Sequence, residues 1–165
     1  MKHPQASLAL PGLDRDRLAA VAAAIARLSR PGDVIILSGP LAAGKTTFVQ
    51  ALAAALGSAD AVTSPTFSLA HFYRSARLPL LHIDAYRLQS NAEFTDLGLD
   101  DFYADHLTAV EWGEAFRSVL PPALDIRLEP ETETTRSLTL TSTAAAWQDR
   151  LCELPASLKC VRAQC

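Results

Sequence analysis

The feature that most constrains this chain is the stretch GPLAAGKTT at residues 39–47, between the apolar run VIILS and the sequence FVQALAAALG. The spacing Gly39-x-x-x-x-Gly44-Lys45-Thr46 is that of a phosphate loop, in which glycines let successive backbone N–H groups point toward phosphates. The lysine adds a positive charge for the terminal phosphates, and the threonine hydroxyl is the usual magnesium ligand. The stretch therefore predicts a nucleotide site.

The segments on both sides of the loop agree with this interpretation. Residues 33–38 form a short, β-branched, apolar run, which is typical of a strand buried in a parallel sheet. After the loop, Phe48, Leu52 and Leu56 recur every four residues, and Gly57 follows as at the end of a helix. This agreement of strand, loop and helix disfavours the alternative of a glycine turn with an ordinary surface lysine.

The remaining segments predict an α/β protein. An amphipathic helix is expected before the loop strand, and two more apolar strands and one or two short helices are expected after the loop helix. Two strands with alternating polar and apolar residues suit the antiparallel edge of a sheet. In chain order these segments are residues 14–29 (helix), LLHIDAY (strand), SNAEFTDLGLDDFYADHL (short helices), LTAVEW (strand), and ALDIRLE and RSLTLTS (edge strands). We expect a single-domain, P-loop NTPase-like fold with a mostly parallel central sheet, antiparallel edge strands and flanking helices.

Composition limits the classes of protein that fit this chain. With 165 residues there is room for one domain, predicted over residues 1–155, followed by a loosely held tail at 156–165. The net charge of −3 and the absence of a basic run disfavour direct, strong binding of nucleic acid. The three cysteines all lie in the last 14 residues without paired spacing, and no segment has the length of a membrane span. We therefore expect a cytoplasmic protein that does not insert into a membrane.

Two carboxylates are candidates for the chemistry that a phosphate loop requires. Asp84 closes LLHID and Glu111 closes LTAVE, so each stands at the carboxyl end of a strand, where open α/β sheets place their ligands. Either acid could hold magnesium, directly or through water. For each residue taken alone, a solvated strand end is the alternative.

Several other side chains have both a functional and a structural interpretation. The hydroxyls of Thr63, Ser64 and Thr66 could meet a γ-phosphate or form a local turn. His82 shares the face of Asp84 and is more typical of a hydrogen-bonded core histidine than of a catalyst. Three further residues also have two interpretations. Arg87 could bind phosphate or form a surface ion pair, and Trp112 could offer a stacking surface or simply pack. Arg136 could contact the nucleotide or be solvated.

Taken together, GPLAAGKTT, SPTF, HIDAYRL, LGLDDFY and VEW resemble, in order and spacing, the bacterial TsaE (YjeE) family. That family is the ATPase component of tRNA threonylcarbamoyladenosine biosynthesis. The resemblance runs from about residue 10 to 136 and is far more specific than the phosphate loop alone.

The resemblance implies a compact ATPase that uses Mg²⁺ and works with the protein subunits TsaD and TsaB. These partners modify adenosine 37 of tRNAs that read codons beginning with A, so tRNA is met only through the complex. Thr46 and Glu111 would hold the metal, Asp84 would position the attacking water, and Lys45 would neutralise phosphate charge. The residues implied in nucleotide binding are Leu41, Ala42, Ala43, Gly44, Lys45, Thr46, Thr47, Thr66, Trp112 and Arg136.

The loop departs from the usual family pattern at two positions. Pro40 and Ala42 stand where an acidic residue and a glycine are common. Proline removes one N–H, but it lies ahead of the amides that are expected to bind most of the phosphate. Ala42 fits without strain only if its φ is negative, because a left-handed alanine costs roughly 1 kcal/mol.

Two other functions remain open on the residues alone. A small nucleotide or nucleoside kinase would share the loop, but such enzymes close an arginine-rich lid over the phosphates, and the arginines here are scattered. A nucleotide-gated adaptor would use ATP only to select a conformation that binds its partner.

Overall fold

One sheet of seven strands organises the chain in a computed structural model that describes residues 6–75, 77–142, 144–154 and 158. The strands are β1 (Ala6–Leu13), β2 (Val34–Ser38), β3 (Ala70–Tyr73), β4 (Leu80–Asp84), β5 (Leu107–Glu111), β6 (Ala123–Pro130) and β7 (Arg136–Ser142). The helices are α1 (Arg15–Leu28), α2 (Lys45–Leu56), α3 (Asn91–Thr95) and α4 (Ala145–Cys152), with 3-10 turns at Asp100–Phe102 and Gly113–Phe116. The α/β fold predicted from the sequence is confirmed.

The strand order β1-β7-β6-β2-β5-β4-β3 places the parallel strands in the middle of the sheet. β2 pairs in parallel with both β5 and β6, and β5 pairs in parallel with β4. In this register Glu111 lies beside Leu37 on one side and Asp84 on the other. The carboxyl ends of β2, β4 and β5 therefore lie together at the same end of the strands, next to the loop that follows β2.

The prediction that residues 123–129 and 136–142 form the sheet edge is wrong in its placement. β6 lies inside the sheet between β2 and β7, and the antiparallel edge strands are β1 and β3. β1 buries Leu8, Leu10 and Leu13 and so covers the outer side of β7. The pair Pro11-Gly12, where the register shifts, interrupts the alternation of apolar residues, so the sequence pattern predicts no strand there.

The helices and the 3-10 turns cover both faces of the sheet. Alternate side chains of β2 enter two separate clusters, with Ile35 and Leu37 on the side of α1 and α2 and with Val34 and Ile36 on the other side. This division gives three layers, in which every β2 side chain before Ser38 is buried. α1 begins at the cap Asp14, and α2 ends at the left-handed Gly57, both as the sequence predicts.

α4 is an element that the sequence analysis did not anticipate. Its Trp147 and Leu151 are buried in the core on the α1 side, and the Arg150 guanidinium lies 2.5 and 3.0 Å from the Asp33 carboxylate oxygens. The expected tail, residues 156–165, lies outside the described residues except for Leu158, which packs against the same core. Within the described ranges, no helix has the length and hydropathy needed to cross a bilayer.

Candidate nucleotide site

The loop between β2 and α2 has the backbone that its glycines predict. Gly39 has a φ of +133°, and a Cβ atom there would overlap the carbonyl group of Leu128 on β6. Gly44 has a φ of +104° and precedes the first residue of α2. Among the described residues no side chain caps this end of α2, so the first N–H groups of the helix remain available to an anion.

Ala42 does not meet the condition that the sequence analysis set for an unstrained loop. Its φ is +62°, in the left-handed region where a Cβ atom costs about 1 kcal/mol. The next residue is held in place, because the Ala43 N–H donates to the Pro40 carbonyl at 3.1 Å. The loop therefore carries backbone strain at a position where a glycine would carry none.

Lys45 is buried beneath the aromatic ring of Trp112. Its ammonium donates to the carbonyls of Gly39 at 2.8 Å and Pro40 at 2.9 Å, and it lies 3.8 Å from the centroid of the Trp112 ring. Burial lowers the pKa of the Lys45 ammonium below its usual 10.5, while the carboxylates of Glu111, Glu114 and Asp84 oppose this shift. Trp112 itself has a φ of +61° and packs against Tyr86, with 5.0 Å between ring centroids.

Glu111 joins the loop helix to the middle of the sheet. The Thr46 hydroxyl donates to Glu111 Oε1 at 2.9 Å, and His82 Nε2 lies 2.8 Å from the same oxygen. Glu111 is only 3% exposed and His82 is fully buried. The prediction of a hydrogen-bonded core histidine is confirmed, and its partner proves to be one of the two candidate carboxylates.

Asp84 connects β4 to the SPTF loop. Its Oδ2 accepts hydrogen bonds from the Thr66 hydroxyl at 2.9 Å and the Ser64 hydroxyl at 3.3 Å, and its Oδ1 accepts from the Tyr86 N–H at 3.0 Å. The third candidate hydroxyl residue, Thr63, is instead held through its backbone, which pairs with the Tyr73 hydroxyl. Both candidate carboxylates are thus buried at strand ends and bonded to other side chains of the site, rather than solvated.

These residues enclose a cavity of about 450 Å³ at the carboxyl edge of the sheet. A volume of this size is within the range of small-molecule sites. The cavity is lined by Leu41, Ala42, Ala43, Gly44, Lys45, Thr46, Thr47, Ser64, Thr66, Asp84, Tyr86, Glu111 and Trp112. Of the residues that the resemblance implies in nucleotide binding, metal binding or catalysis, all but Arg136 line this cavity, whereas the candidates Thr63 and Arg87 do not.

Arg136 lies instead at a second cavity of about 280 Å³ on the other side of the loop backbone. Its Nε donates to the Ala43 carbonyl at 3.0 Å, so it contacts the loop rather than the cavity with the carboxylates. The second cavity also contains Leu13, Leu18 and Thr47. Leu13 and Leu18 are buried and belong to the hydrophobic core beside this cavity, as their apolar pattern in the sequence indicates. Arg87, left open above, packs over the Phe67 ring at 4.6 Å.

β2, the glycine-bounded loop and α2, with carboxylates at the ends of the next two strands of the sheet, β5 and β4, define a protein of the P-loop NTPase-like α/β class. The family model described as "Threonylcarbamoyl adenosine biosynthesis protein TsaE" matches residues 13–138 of the chain. The chain belongs to the TsaE family, which acts in the biosynthesis of threonylcarbamoyladenosine in tRNA. The resemblance noted from its motifs is confirmed.

Individual relatives agree with this assignment. The TsaE protein of Bacillus subtilis is 38% identical over 136 residues, which is 81% of this chain and 84% of that protein. The TsaE protein of Treponema pallidum is 46% identical over 98 residues, which is 59% of this chain and 72% of that protein. The crystal structure of YdiB from Bacillus subtilis superposes with a TM-score of 0.76 at 30% identity, covering 92% of this chain and 96% of that chain.

Proposed function

We propose that this protein binds and hydrolyses ATP with Mg²⁺ as a weak ATPase that its partners TsaD and TsaB stimulate. In this proposal the ATPase supports formation of the threonylcarbamoyl group on adenosine 37 of tRNAs that read codons beginning with A. The observation that carries the proposal is the pairing of Thr46 with Glu111 at the start of α2, inside a cavity lined by the phosphate loop.

The loop and the first turn of α2 provide the phosphate site of this proposal. The N–H groups of residues 41–47 and the positive end of the α2 dipole would face the negative oxygens. The Lys45 ammonium, now bonded to the Gly39 and Pro40 carbonyls, is the nearest cation for the terminal phosphates. In this proposal the Lys45 ammonium neutralises phosphate charge, because catalysis of phosphoryl transfer relies mainly on positioning and electrostatic stabilisation.

The oxygen atoms of Thr46 and Glu111 fit a magnesium ion. Mg²⁺ prefers oxygen ligands and usually takes one or two from the protein, with water and phosphate oxygens completing the octahedron. In the part of the chain that the structure describes, no three His, Cys, Asp or Glu side chains cluster as a complete metal site. Thr46 and Glu111 would hold the ion, and its charge would stabilise the negative charge that develops on the phosphate.

Asp84 is suited to orient the attacking water. It is 4% exposed, lines the same cavity as Lys45 and neighbours Glu111 in the sheet register. The hydrogen bonds from Thr66 and Tyr86 fix the direction of its carboxylate. A carboxylate held in this way would accept a hydrogen bond from water near the terminal phosphate.

The second cavity is where this proposal places the base and ribose of ATP. It adjoins Ala43, Gly44 and Thr47, so a nucleotide would pass from one cavity to the other around the loop backbone. Leu13 and Leu18 line the buried apolar side of this cavity, and Arg136 supports the loop from the same side. Hydrolysis in this arrangement would serve the TsaD and TsaB complex in the cytoplasm, and tRNA would be met through that complex.

The test is ATP hydrolysis by the purified protein, alone and with TsaD and TsaB, for wild type, Lys45→Ala and Glu111→Ala. Glu153→Ala, which removes an exposed carboxylate at the end of α4, is the matched control. Stimulation by the partners that both site variants lose and the control keeps would support the proposal.

Other outcomes would favour the alternatives. Transfer of the ATP label to a nucleotide acceptor rather than to phosphate would point to a kinase. Partner binding that stays ATP-dependent in Glu111→Ala, with turnover abolished, would point to an adaptor. Absence of both ATP binding and hydrolysis in the presence of the partners would overturn the ATPase assignment.

A further inference from the structure

The buried His82 is an ionisable side chain that contacts the site and to which the proposed reaction gives no task. It lies on β4 two residues before Asp84, is 0% exposed and places Nε2 2.8 Å from Glu111 Oε1. Its other ring nitrogen, Nδ1, is buried and has no hydrogen-bond partner among the described residues. Burying the ring leaves Nδ1 unsatisfied, which costs free energy. The hydrogen bond of Nε2 to Glu111 is therefore the feature that a function of His82 would explain.

Glu111 receives two hydrogen bonds on the same oxygen, and they come from different parts of the fold. The Thr46 hydroxyl reaches Oε1 from the first turn of α2, and the His82 ring reaches it from β4. Oε2 accepts no hydrogen bond from the residues that the structure describes. The Glu111 carboxylate is therefore held in place through Oε1, and Oε2 is left available for a metal ion.

The two donors differ in whether they would themselves bind the metal. A threonine hydroxyl that ligates magnesium offers an oxygen lone pair to the ion and can still donate its hydrogen to Oε1, so Thr46 would be both a metal ligand and a hydrogen-bond donor. The His82 ring is not a ligand in the proposed set, and burial in the sheet restricts its movement. Its bond to Oε1 can persist while the loop side of the site reorganises.

We propose that His82 is a positioning residue whose Nε2–H holds the Glu111 carboxylate in place for the magnesium ion. This inference rests on the proposed function, since it assigns a support to the metal ligand of that site. Hydrogen-bond partners of metal-binding carboxylates orient them, and removing such a partner typically weakens metal affinity 10- to 100-fold. Because Nε2 is the donor to a carboxylate, the ring in its neutral form carries its proton on Nε2 rather than Nδ1.

The test compares His82→Gln with His82→Asn. The Gln amide nitrogen reaches about as far along the side chain as Nε2 and keeps a donor for Glu111, whereas the Asn amide is too short to reach it. His106→Asn, in the segment before β5 where the His106 ring contacts the Phe102 carbonyl, is the control for a histidine at the opposite end of the sheet. Thermal melts of all three variants identify any loss of folding.

The readout is binding of ADP by calorimetry across a MgCl₂ titration, together with binding of Mn²⁺ followed by electron paramagnetic resonance. We expect His82→Asn to raise the Mg²⁺ and Mn²⁺ concentrations at half-saturation about 10-fold or more and to leave metal-free ADP affinity within twofold of wild type. His82→Gln should recover most of the metal affinity, and His106→Asn should match wild type.

Two results would overturn the role of His82. One is an unchanged metal dependence in a folded His82→Asn protein, and the other is an equal loss in His82→Gln and His82→Asn. A ¹⁵N spectrum of the wild-type histidines provides a test that needs no variant, because a proton on Nδ1 and none on Nε2 of His82 would also contradict it. If wild-type ADP binding shows no metal dependence at all, the proposed function itself fails, which distinguishes the two failures.

Discussion

The Lys45 ammonium lies 3.8 Å from the centroid of the Trp112 ring while it donates to two carbonyls of its own loop. A cation against an aromatic face gains about 0.5–2 kcal/mol, depending on its exposure to water. Lys45 is therefore satisfied within the protein before any phosphate arrives. In the proposed nucleotide complex the ammonium would leave this arrangement, and the surroundings of the Trp112 ring would change with it.

Nucleotide binding should consequently change the fluorescence of Trp112. The chain has two tryptophans, and Trp147→Phe leaves Trp112 as the single reporter. We expect its emission intensity to change saturably with MgATP, and we expect no change in the Trp147→Phe/Lys45→Ala double variant. Calorimetric binding of MgATP without any change in emission would contradict the prediction.

Asp84→Asn should separate binding from hydrolysis. The amide keeps the shape of the side chain but is a weaker acceptor for a water proton, so partner-stimulated hydrolysis should fall at least about 100-fold. ATP affinity measured by calorimetry should stay within about threefold of wild type, because Lys45 and the loop amides are intact. A loss of affinity equal to that of Lys45→Ala would show that Asp84 binds the nucleotide instead.

Ala42→Gly should stabilise the protein by up to about 1 kcal/mol. The substitution removes the Cβ strain at a φ of +62°, partly offset by the greater freedom of glycine in the unfolded chain. Ala51→Gly, in the middle of α2, is the matched control and should destabilise by about 0.5–1 kcal/mol. Urea unfolding monitored by circular dichroism measures both, and equal destabilisation would argue against strain at Ala42.

Gly39→Ala should destabilise the fold and remove nucleotide binding. The added Cβ would meet the Leu128 carbonyl, a backbone group of β6 that cannot move aside without disturbing the sheet. We expect a loss of at least about 2 kcal/mol in urea unfolding. Gly98→Ala also has a positive φ but open space at the Cβ, so it should lose only about 1 kcal/mol. Similar losses of unfolding free energy in Gly39→Ala and Gly98→Ala would contradict a clash between the new Cβ atom and the Leu128 carbonyl.

Tyr103→Phe should flatten the loss of stability at alkaline pH. Burial raises the pKa of Tyr103 from 10.0 to about 12, with a smaller contribution from the Asp100 carboxylate. The folded state keeps the neutral phenol that the unfolded chain has lost above pH 10, so stability present below pH 10 disappears between pH 10 and 12. At about 1.4 kcal/mol per pKa unit the difference is roughly 2–3 kcal/mol.

Urea unfolding of wild type and Tyr103→Phe at pH 8, 10, 11 and 12 tests this prediction. Within the described ranges the Tyr103 hydroxyl has no hydrogen-bond partner, so the variant should be at least as stable as wild type at pH 8. Parallel declines of the two proteins above pH 10 would show that another group is responsible.

The parts of this site that are local in sequence could be predicted from the sequence. The loop, the start of α2 and its Gly57 end follow from spacing and propensity within about 20 residues, and the structure has them as expected. Placing Asp84 and Glu111 at strand ends was also enough to bring them to the same edge, because parallel strands end together.

Most features that could not be predicted from the sequence depend on packing between distant segments. The sequence left the φ of Ala42 open, and the glycine that is common at this position in the family was the signal for the positive value. The bond from His82 to Glu111 requires β4 and β5 to be neighbours in register. β1 was missed because its pairing with β7 spans more than 120 residues and its own apolar pattern is broken by Pro11.

The position of β2 in the sheet also sets the order in which the protein can fold as it is synthesised. β2 comes early in the chain, yet its two neighbours, β5 and β6, begin at Leu107 and Ala123. Leu128, whose carbonyl lies against Gly39, emerges later still. The phosphate loop of a nascent chain therefore has no completed support until some 80 residues beyond it have been translated. A ribosome-bound intermediate shorter than this should be unable to retain the proposed nucleotide, even though it already contains the whole phosphate loop.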